Sequence, residues 1–124
     1  MNALVLVMAG GAIGAGLRHL VGRAAVTALG VGWPWGTLFV NIVGGFAMGL
    51  LAASVARIAS GETWRLFFAV GILGGFTTFS AFSLDAVIMM ARGAWGEMLT
   101  YVLISVVGSI AALSLGFSLA RPAA

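Results

Sequence analysis

The residues of this chain with the clearest chemical potential lie in one stretch, Gly74-Gly75-Phe76-Thr77-Thr78-Phe79-Ser80-Ala81-Phe82. Two glycines, three hydroxyl side chains and three phenylalanines interrupt a segment that is otherwise apolar enough to cross a membrane. Backbone that leaves its helical hydrogen bonds at membrane depth is tolerated only where it is buried in protein or lines a cavity. The stretch therefore predicts a broken transmembrane helix at an ion or substrate site, a pattern found in transporters.

This stretch offers two kinds of ion contact. A broken helix frees carbonyl oxygens at Gly74 and Thr77, and hard cations such as Na⁺ bind such oxygens. The alternative is a flexible kink whose carbonyls bond to the neighbouring hydroxyls. Phe79 and Phe82 are three residues apart and share one face of a helix. Their ring edges carry partial positive charge that attracts a small anion, although apolar packing is the commoner role of such rings.

Other polar side chains lie inside apolar segments. Asn41 follows Gly36-Thr37-Leu38-Phe39-Val40, and its amide needs a partner helix or a pore. Thr37 lies one turn earlier on the same face, which favours a polar track over a packing hydrogen bond. Ser109 and Tyr101 are eight residues apart and also share a face. For Ser109, a polar lining and a hydrogen bond back to its own helix both remain open.

The charged residues exclude the common catalytic sets. The chain has three acids, Glu62, Asp85 and Glu97, one histidine and no cysteine. A Ser/His/Asp or Cys/His set cannot be assembled from these residues, so we expect no enzyme. Arg18 and His19 are predicted to end the first span, either as headgroup anchors or as a positive vestibule that attracts anions.

The composition predicts a membrane protein. The 124 residues are 62% hydrophobic and 7% charged, and the mean hydropathy is +1.18. Soluble domains carry roughly 25% charged residues. The net charge of +3 comes with six scattered arginines, which suit interface anchoring and not nucleic-acid binding. We therefore expect lipid to be the main solvent of the chain and nucleic acid to be no partner.

The gaps between charges predict a single all-α domain over residues 1–124 with four transmembrane helices. A helix needs about 20 apolar residues to cross the hydrocarbon core. Trp33, Trp35, Trp64 and Trp95 precede the last three spans, as expected of residues that prefer the membrane interface. The predicted spans are 3–22, 35–56, 65–90 and 96–119.

The arginines are balanced across the predicted membrane. Four spans place both termini on one side, and each side then carries three arginines: Arg57, Arg65 and Arg121 against Arg18, Arg23 and Arg92. The positive-inside rule gives no preferred orientation for such a chain. The balance is either accidental or indicates insertion in both orientations, which would allow two copies to form an antiparallel dimer.

Taken together, these motifs resemble the Fluc (CrcB) family of fluoride channels. The matching segments occur in order along the chain, and Gly108-Ser109 adds a smaller match in the fourth span. The long third segment is the most specific of them. The segments are Gly10-Gly11-Ala12-Ile13-Gly14-Ala15-Gly16-Leu17-Arg18, Gly36-Thr37-Leu38-Phe39-Val40-Asn41 and Gly71-Ile72-Leu73-Gly74-Gly75-Phe76-Thr77-Thr78-Phe79-Ser80-Ala81-Phe82-Ser83.

The resemblance implies an antiparallel, dual-topology homodimer with two pores and a central structural Na⁺. The carbonyls of Gly74 and Thr77 match the family's Na⁺ ligands, and Arg18 matches a basic residue near the end of the first span. The residues that match the fluoride pathway, or that share its polar track, are Thr37, Asn41, Phe79, Ser80, Phe82, Tyr101 and Ser109.

Two positions depart from the family pattern. Ala81 lies between the two phenylalanines where many relatives have a threonine or serine, so one hydroxyl of the polar track is missing. Leu113 replaces a hydroxyl residue found one turn after Ser109 in some members. The departures affect details of the pathway and leave the resemblance intact.

The implied function is passive export of cytoplasmic fluoride across a prokaryotic plasma membrane, which lowers fluoride toxicity. The alternative is a small four-helix, dual-topology exporter of drugs driven by protons. Such an exporter needs an ionisable carboxylate within the membrane. The first span contains no acid, and Asp85 is predicted to lie near a span end.

Overall fold

The computed structural model describes residues 2–122, and its regular elements are helices. Four helical spans are long and apolar enough to cross a membrane, and the third is interrupted. The predicted fold class, four transmembrane helices with a broken third, is confirmed. The elements are α1 (Ala3–Leu29), α2 (Trp35–Val55), α3 (Gly61–Trp64), a π-helical segment (Arg65–Leu73), α4 (Gly74–Phe76), α5 (Phe79–Ala91) and α6 (Trp95–Ala120).

The first span is longer than the sequence predicted. α1 continues to Leu29, seven residues beyond the predicted limit at residue 22, and Gly30 ends it with a φ of 81°. Arg18 therefore lies within α1, eleven residues before its end, and the prediction that it lies at a helix end is wrong. Arginine was taken as a boundary because a charge in lipid is costly. That cost is offset here by a partner within the protein.

The third span breaks after its glycines and not at them. Gly74 keeps helical torsions, with φ −62° and ψ −37°, whereas Thr77 and Thr78 are extended. Their φ and ψ values are −85° and 156° for Thr77 and −152° and 122° for Thr78. We call Thr77–Thr78 the break. The second half of the span restarts at Phe79, with the Thr78 hydroxyl capping α5.

Glycines bring the helices around the break into backbone contact. A Cβ added at Gly75 would lie 2.6 Å from the carbonyl oxygen of Gly11, and one at Gly14 would overlap the carbonyl of Ile72. α1 therefore packs directly against the π-helical segment and α4. On the other side of the bundle, Gly49 and Gly116 allow the same close approach between α2 and α6.

The buried core lies beyond the break, where three spans meet. Leu38 of α2, Phe82 and Met89 of α5 and Tyr101 of α6 form one apolar cluster. Tyr101 is completely buried, while most large apolar side chains of the chain are exposed. Those exposed side chains face lipid or another protein surface. The cluster fixes where Phe82 and Tyr101 lie relative to the break.

Candidate functional site

The side-chain amide of Asn41 holds the break open. Asn41 Nδ2 donates to the carbonyl oxygen of Thr78 at 2.9 Å, and the Thr78 N–H donates to Asn41 Oδ1 at 2.7 Å. In a continuous helix this N–H would donate to the carbonyl of Gly74. Asn41 therefore replaces helical hydrogen bonding at Thr78 with two bonds to a neighbouring helix. Asn41 thus makes a packing hydrogen bond to another helix and also lines a cavity, so both roles considered for it apply.

The break deprives the carbonyl oxygens of Gly74 and Thr77, among others, of their helical donors. The N–H of Thr78 is taken by Asn41, which leaves the Gly74 carbonyl without its donor. The N–H of Ala81, which would bond to the Thr77 carbonyl in a continuous helix, donates to the Thr78 hydroxyl at 3.1 Å. The Thr77 hydroxyl itself donates to the Leu73 carbonyl at 2.9 Å. The flexible-kink alternative, in which local hydroxyls bind the freed carbonyls, does not account for Thr77.

These two carbonyls suit a hard monovalent cation. Oxygen ligands are what such ions bind, and backbone carbonyls at a broken helix supply them without adding charge. In residues 2–122, His, Asp and Glu form no group of three that could hold a metal ion. The candidate cation ligands at the break are the carbonyl oxygens of Gly74 and Thr77.

Arg18 reaches the break from α1. Its Nε donates to the carbonyl oxygen of Gly75 at 3.0 Å, and the side chain is partly buried. This bond occupies another carbonyl that the break releases from helical pairing. Arg18 also lines a cavity of about 580 Å³, which we call the basic cavity, together with His19, Arg23 and Thr37. The basic cavity carries a positive charge to the level of the break, which attracts anions.

A second cavity also has Thr78 in its lining. This break cavity has a volume of about 330 Å³ and brings together four predicted pathway residues, Asn41, Phe79, Phe82 and Ser109. The rings of Phe79 and Phe82 are 5.4 Å apart between centroids and inclined at 53°. Phe79 is 76% exposed and Phe82 only 7%. Thr78 is in the lining of both the basic cavity and the break cavity.

The remaining predicted pathway residues lie around these cavities. Thr37 lines the basic cavity, and Ser80 is exposed with its hydroxyl 3.4 Å from that of Thr78. Tyr101 is buried against Phe82, with ring centroids 5.3 Å apart. Ala81 also lines the basic cavity, so the hydroxyl that many relatives have at this position is absent from that cavity.

Sequence reasoning missed two residues of this region. Ser105 lines the break cavity, and its buried Oγ has no hydrogen-bond partner among the described residues. Ser105 is four residues from both Tyr101 and Ser109, so all three lie on one helix face. This spacing could have identified Ser105 from the sequence. Asp85, six residues before the end of α5, accepts a hydrogen bond from the Tyr101 hydroxyl at 2.9 Å. No sequence signal linked it to Tyr101.

The comparison with known families assigns this chain to one of them. The model of the family described as "CrcB-like protein, Camphor Resistance (CrcB)" matches residues 5–117, which is most of the chain. This chain belongs to the CrcB-like family. The predicted resemblance is therefore confirmed over all four spans.

Curated relatives of this CrcB-like chain match it from end to end. The "Fluoride-specific ion channel FluC" of Chelativorans sp. (strain BNC1) is 58% identical over 122 residues, 98% of each chain. The proteins of that name from Mesorhizobium japonicum and Caulobacter vibrioides (strain NA1000 / CB15N) are 54% and 52% identical. The former match covers 98% of each chain, and the latter covers 98% of this chain and 97% of the relative.

Proposed function

We propose that this CrcB-like chain is a fluoride-selective channel through which cytoplasmic fluoride leaves the cell passively. The observation that carries the proposal is the break cavity, where the amide of Asn41, the rings of Phe79 and Phe82 and the hydroxyl of Ser109 converge. The relatives named as fluoride-specific channels match nearly the whole chain, which supports the same substrate here.

The chemistry of the two cavities suits a small, strongly hydrated anion. Fluoride leaves its hydration shell only if donors replace the water, and the Ser105 and Ser109 hydroxyls at the break cavity are such donors. The ring edges of Phe79 and Phe82 add weaker attraction that does not trap the ion. Arg18 raises the local anion concentration in the basic cavity and is itself held by the carbonyl oxygen of Gly75.

The direction of transport follows from the membrane potential. Hydrogen fluoride enters a cell as a neutral acid, ionises in the cytoplasm and is trapped there as the anion. A passive channel in the prokaryotic inner membrane releases it, because an inside-negative potential favours anion exit by about 2.3 kcal/mol per charge per 100 mV. The chain is thus a transport protein that lowers fluoride toxicity, with no catalytic role.

A structural Na⁺ completes the proposed site. The carbonyls of Gly74 and Thr77, which lose their helical donors at the break, would hold it together with the same carbonyls of a second copy. A bound cation supplies a fixed local charge and joins two broken helices. It would lie between protomers and not in the fluoride pathway.

The second copy is proposed to lie antiparallel to the first in the lipid bilayer. The ion pairs do not change the balance of arginines between the two sides, because one arginine on each side is paired. Arg65 pairs with Glu62 at 2.8 Å on one side, and Arg92 pairs with Glu97 at 3.4 Å on the other. The chain therefore has no strong charge asymmetry to orient it. The exposed apolar side chains of all four spans leave ample surface for a partner as well as for lipid.

Accessibility labelling tests the orientation. We expect single cysteines placed at Ser60 and at Gly93, in linkers on opposite sides, each to react with an impermeant maleimide in about half of the molecules in intact cells. Permeabilised cells give the full reaction as the control. Complete labelling at one linker and none at the other would rule out the dual-topology dimer.

Proton-coupled drug export is not favoured. Asp85 lies only six residues before the end of α5, and α1 contains no acid. The family assignment and the names of the relatives also indicate a channel. The lining of the break cavity, with small hydroxyls and ring edges, also suits a small anion better than a bulky organic cation.

Release of ions from liposomes tests the function. Liposomes that contain the purified protein and potassium fluoride should release fluoride rapidly when valinomycin provides a path for K⁺, and slowly without it, because passive anion movement needs charge compensation. Liposomes loaded with chloride are the matched control and should release little. Absence of fluoride release, or equal release of chloride, would refute the proposal.

A further inference from the structure

The basic cavity contains the single histidine of the chain. His19 is exposed and lines this cavity beside Arg18 and Arg23 of the same helix. Successive residues of an α-helix are about 100° apart, so His19 lies between the two arginines on the face of α1 that forms the cavity wall. An ionisable side chain within a membrane span faces a water-filled cavity or a partner, and it marks a functional site.

Within the described residues, the other walls of the basic cavity carry no charged side chain. α2 contributes Gly36 and Thr37, while Thr78 of the break and Ala81 of α5 complete the lining opposite His19. The lining formed by residues 2–122 therefore has no acid that could neutralise a proton taken up by this ring. A charge gained by His19 would add to the positive potential of the cavity.

A neighbouring cavity of about 320 Å³ adds one charge of each sign. Asp85 and Arg92 line it, and their charges are opposite. Near neutral pH an arginine stays protonated and a carboxylate stays ionised, whereas the imidazole of histidine changes charge between about pH 5 and pH 8. Of the side-chain types that line the two cavities, only histidine changes charge in this range. Four residues line both cavities: Gly22, Val26, Gly36 and Thr37.

Fluoride and protons enter the cytoplasm together. Hydrogen fluoride crosses lipid as the neutral acid, and each molecule that ionises releases one proton with one fluoride ion. A fluoride load therefore acidifies the cytoplasm while it raises the concentration of the anion. A group that gains positive charge on acidification would draw more fluoride to a channel when the load is largest.

We propose that His19 is an anion-recruiting residue of the basic cavity, and that its protonation increases fluoride entry as the pH falls. The proposal rests on the proposed function of the chain as a fluoride channel. A positive charge within a cleft concentrates anions and speeds their entry. A neutral imidazole leaves this role to Arg18 and Arg23, whereas a protonated one adds a third charge between them.

Fluoride current in planar bilayers, at about pH 8 and at about pH 5.5 on both sides, tests this role. Hydrogen fluoride is neutral and carries no current, so its leakage through lipid does not enter the measurement. Below half-saturating fluoride, we expect the current of the unmodified chain to rise about two- to fivefold at the lower pH. His19→Gln should lose this rise, and His19→Lys should give the higher current at both pH values.

Glu97→Gln is the matched control, because Glu97 is an exposed acid of α6 that does not line the basic cavity. We expect this variant to keep the full rise. Equal currents of the unmodified chain at the two pH values, or a rise that persists in His19→Gln, would overturn the proposal. If His19→Gln fails to fold, His19→Lys decides, and a current that still rises at the lower pH contradicts the proposal. Sustained fluoride current through the unmodified chain at the higher pH would leave the proposed function standing in either case.

Discussion

We expect Asn41→Ala to reduce fluoride flux through liposomes by about a hundredfold, because two hydrogen bonds of roughly 1–1.5 kcal/mol each are lost at the break. The substitution leaves both the N–H and the carbonyl of Thr78 without their partner. The Thr78 N–H is then free to return to the Gly74 carbonyl. Such a return would close the break and remove a donor from the break cavity.

Ser54→Ala provides the control for Asn41. Ser54 is a polar residue of the same helix, and its hydroxyl donates only to the Leu50 carbonyl one turn earlier. We expect this variant to transport fluoride at the rate of the unmodified chain. If Asn41→Ala also transported normally, and a purified sample eluted as a single species, the assignment of Asn41 to the pathway would be wrong.

Phe82→Ile should reduce fluoride flux at least about tenfold. The substitution keeps an apolar side chain in the core cluster but removes the ring that lines the break cavity. It also removes the aromatic contacts with Phe79 and Tyr101, worth about 0.5–1.5 kcal/mol each. Phe79→Ile should show a weaker effect on stability, because Phe79 is 76% exposed whereas Phe82 is 7% exposed.

The control for Phe82 is Phe117→Ile, at the far end of α6. Phe117 is 41% exposed and does not line the break cavity. Both proteins are compared in the same liposome assay after their thermal unfolding midpoints have been measured. Normal flux through Phe82→Ile, with normal stability, would contradict a pathway along this ring.

The sequence predicted the broken third helix but not the exact ends of the helices. The cluster of glycine, hydroxyl and aromatic residues from 74 to 82 indicated a broken helix because such residues suit neither a lipid-facing surface nor a regular helix. The exact place of the break could not be predicted from the sequence of the third span, because Asn41 on another helix fixes it at Thr78. The glycines instead allow backbone contact with α1.

Charged residues were the least reliable guide. Arg18 was taken as the end of a span, but its partner is a backbone carbonyl at the break, and such a partner leaves no sequence pattern. Asp85 does lie near the end of α5, but its partner Tyr101, sixteen residues away on another helix, was not predicted. Tertiary contacts decide whether a charge lies at an interface or within the bundle.

The reversal potential of the current under opposed fluoride and chloride gradients tests the central claim most directly. The unmodified protein is placed in a planar bilayer with fluoride mainly on one side and chloride mainly on the other. A fluoride-selective pathway through the break predicts a reversal potential close to the fluoride equilibrium potential. A reversal potential near that of chloride, near that of the cation, or at zero would contradict it.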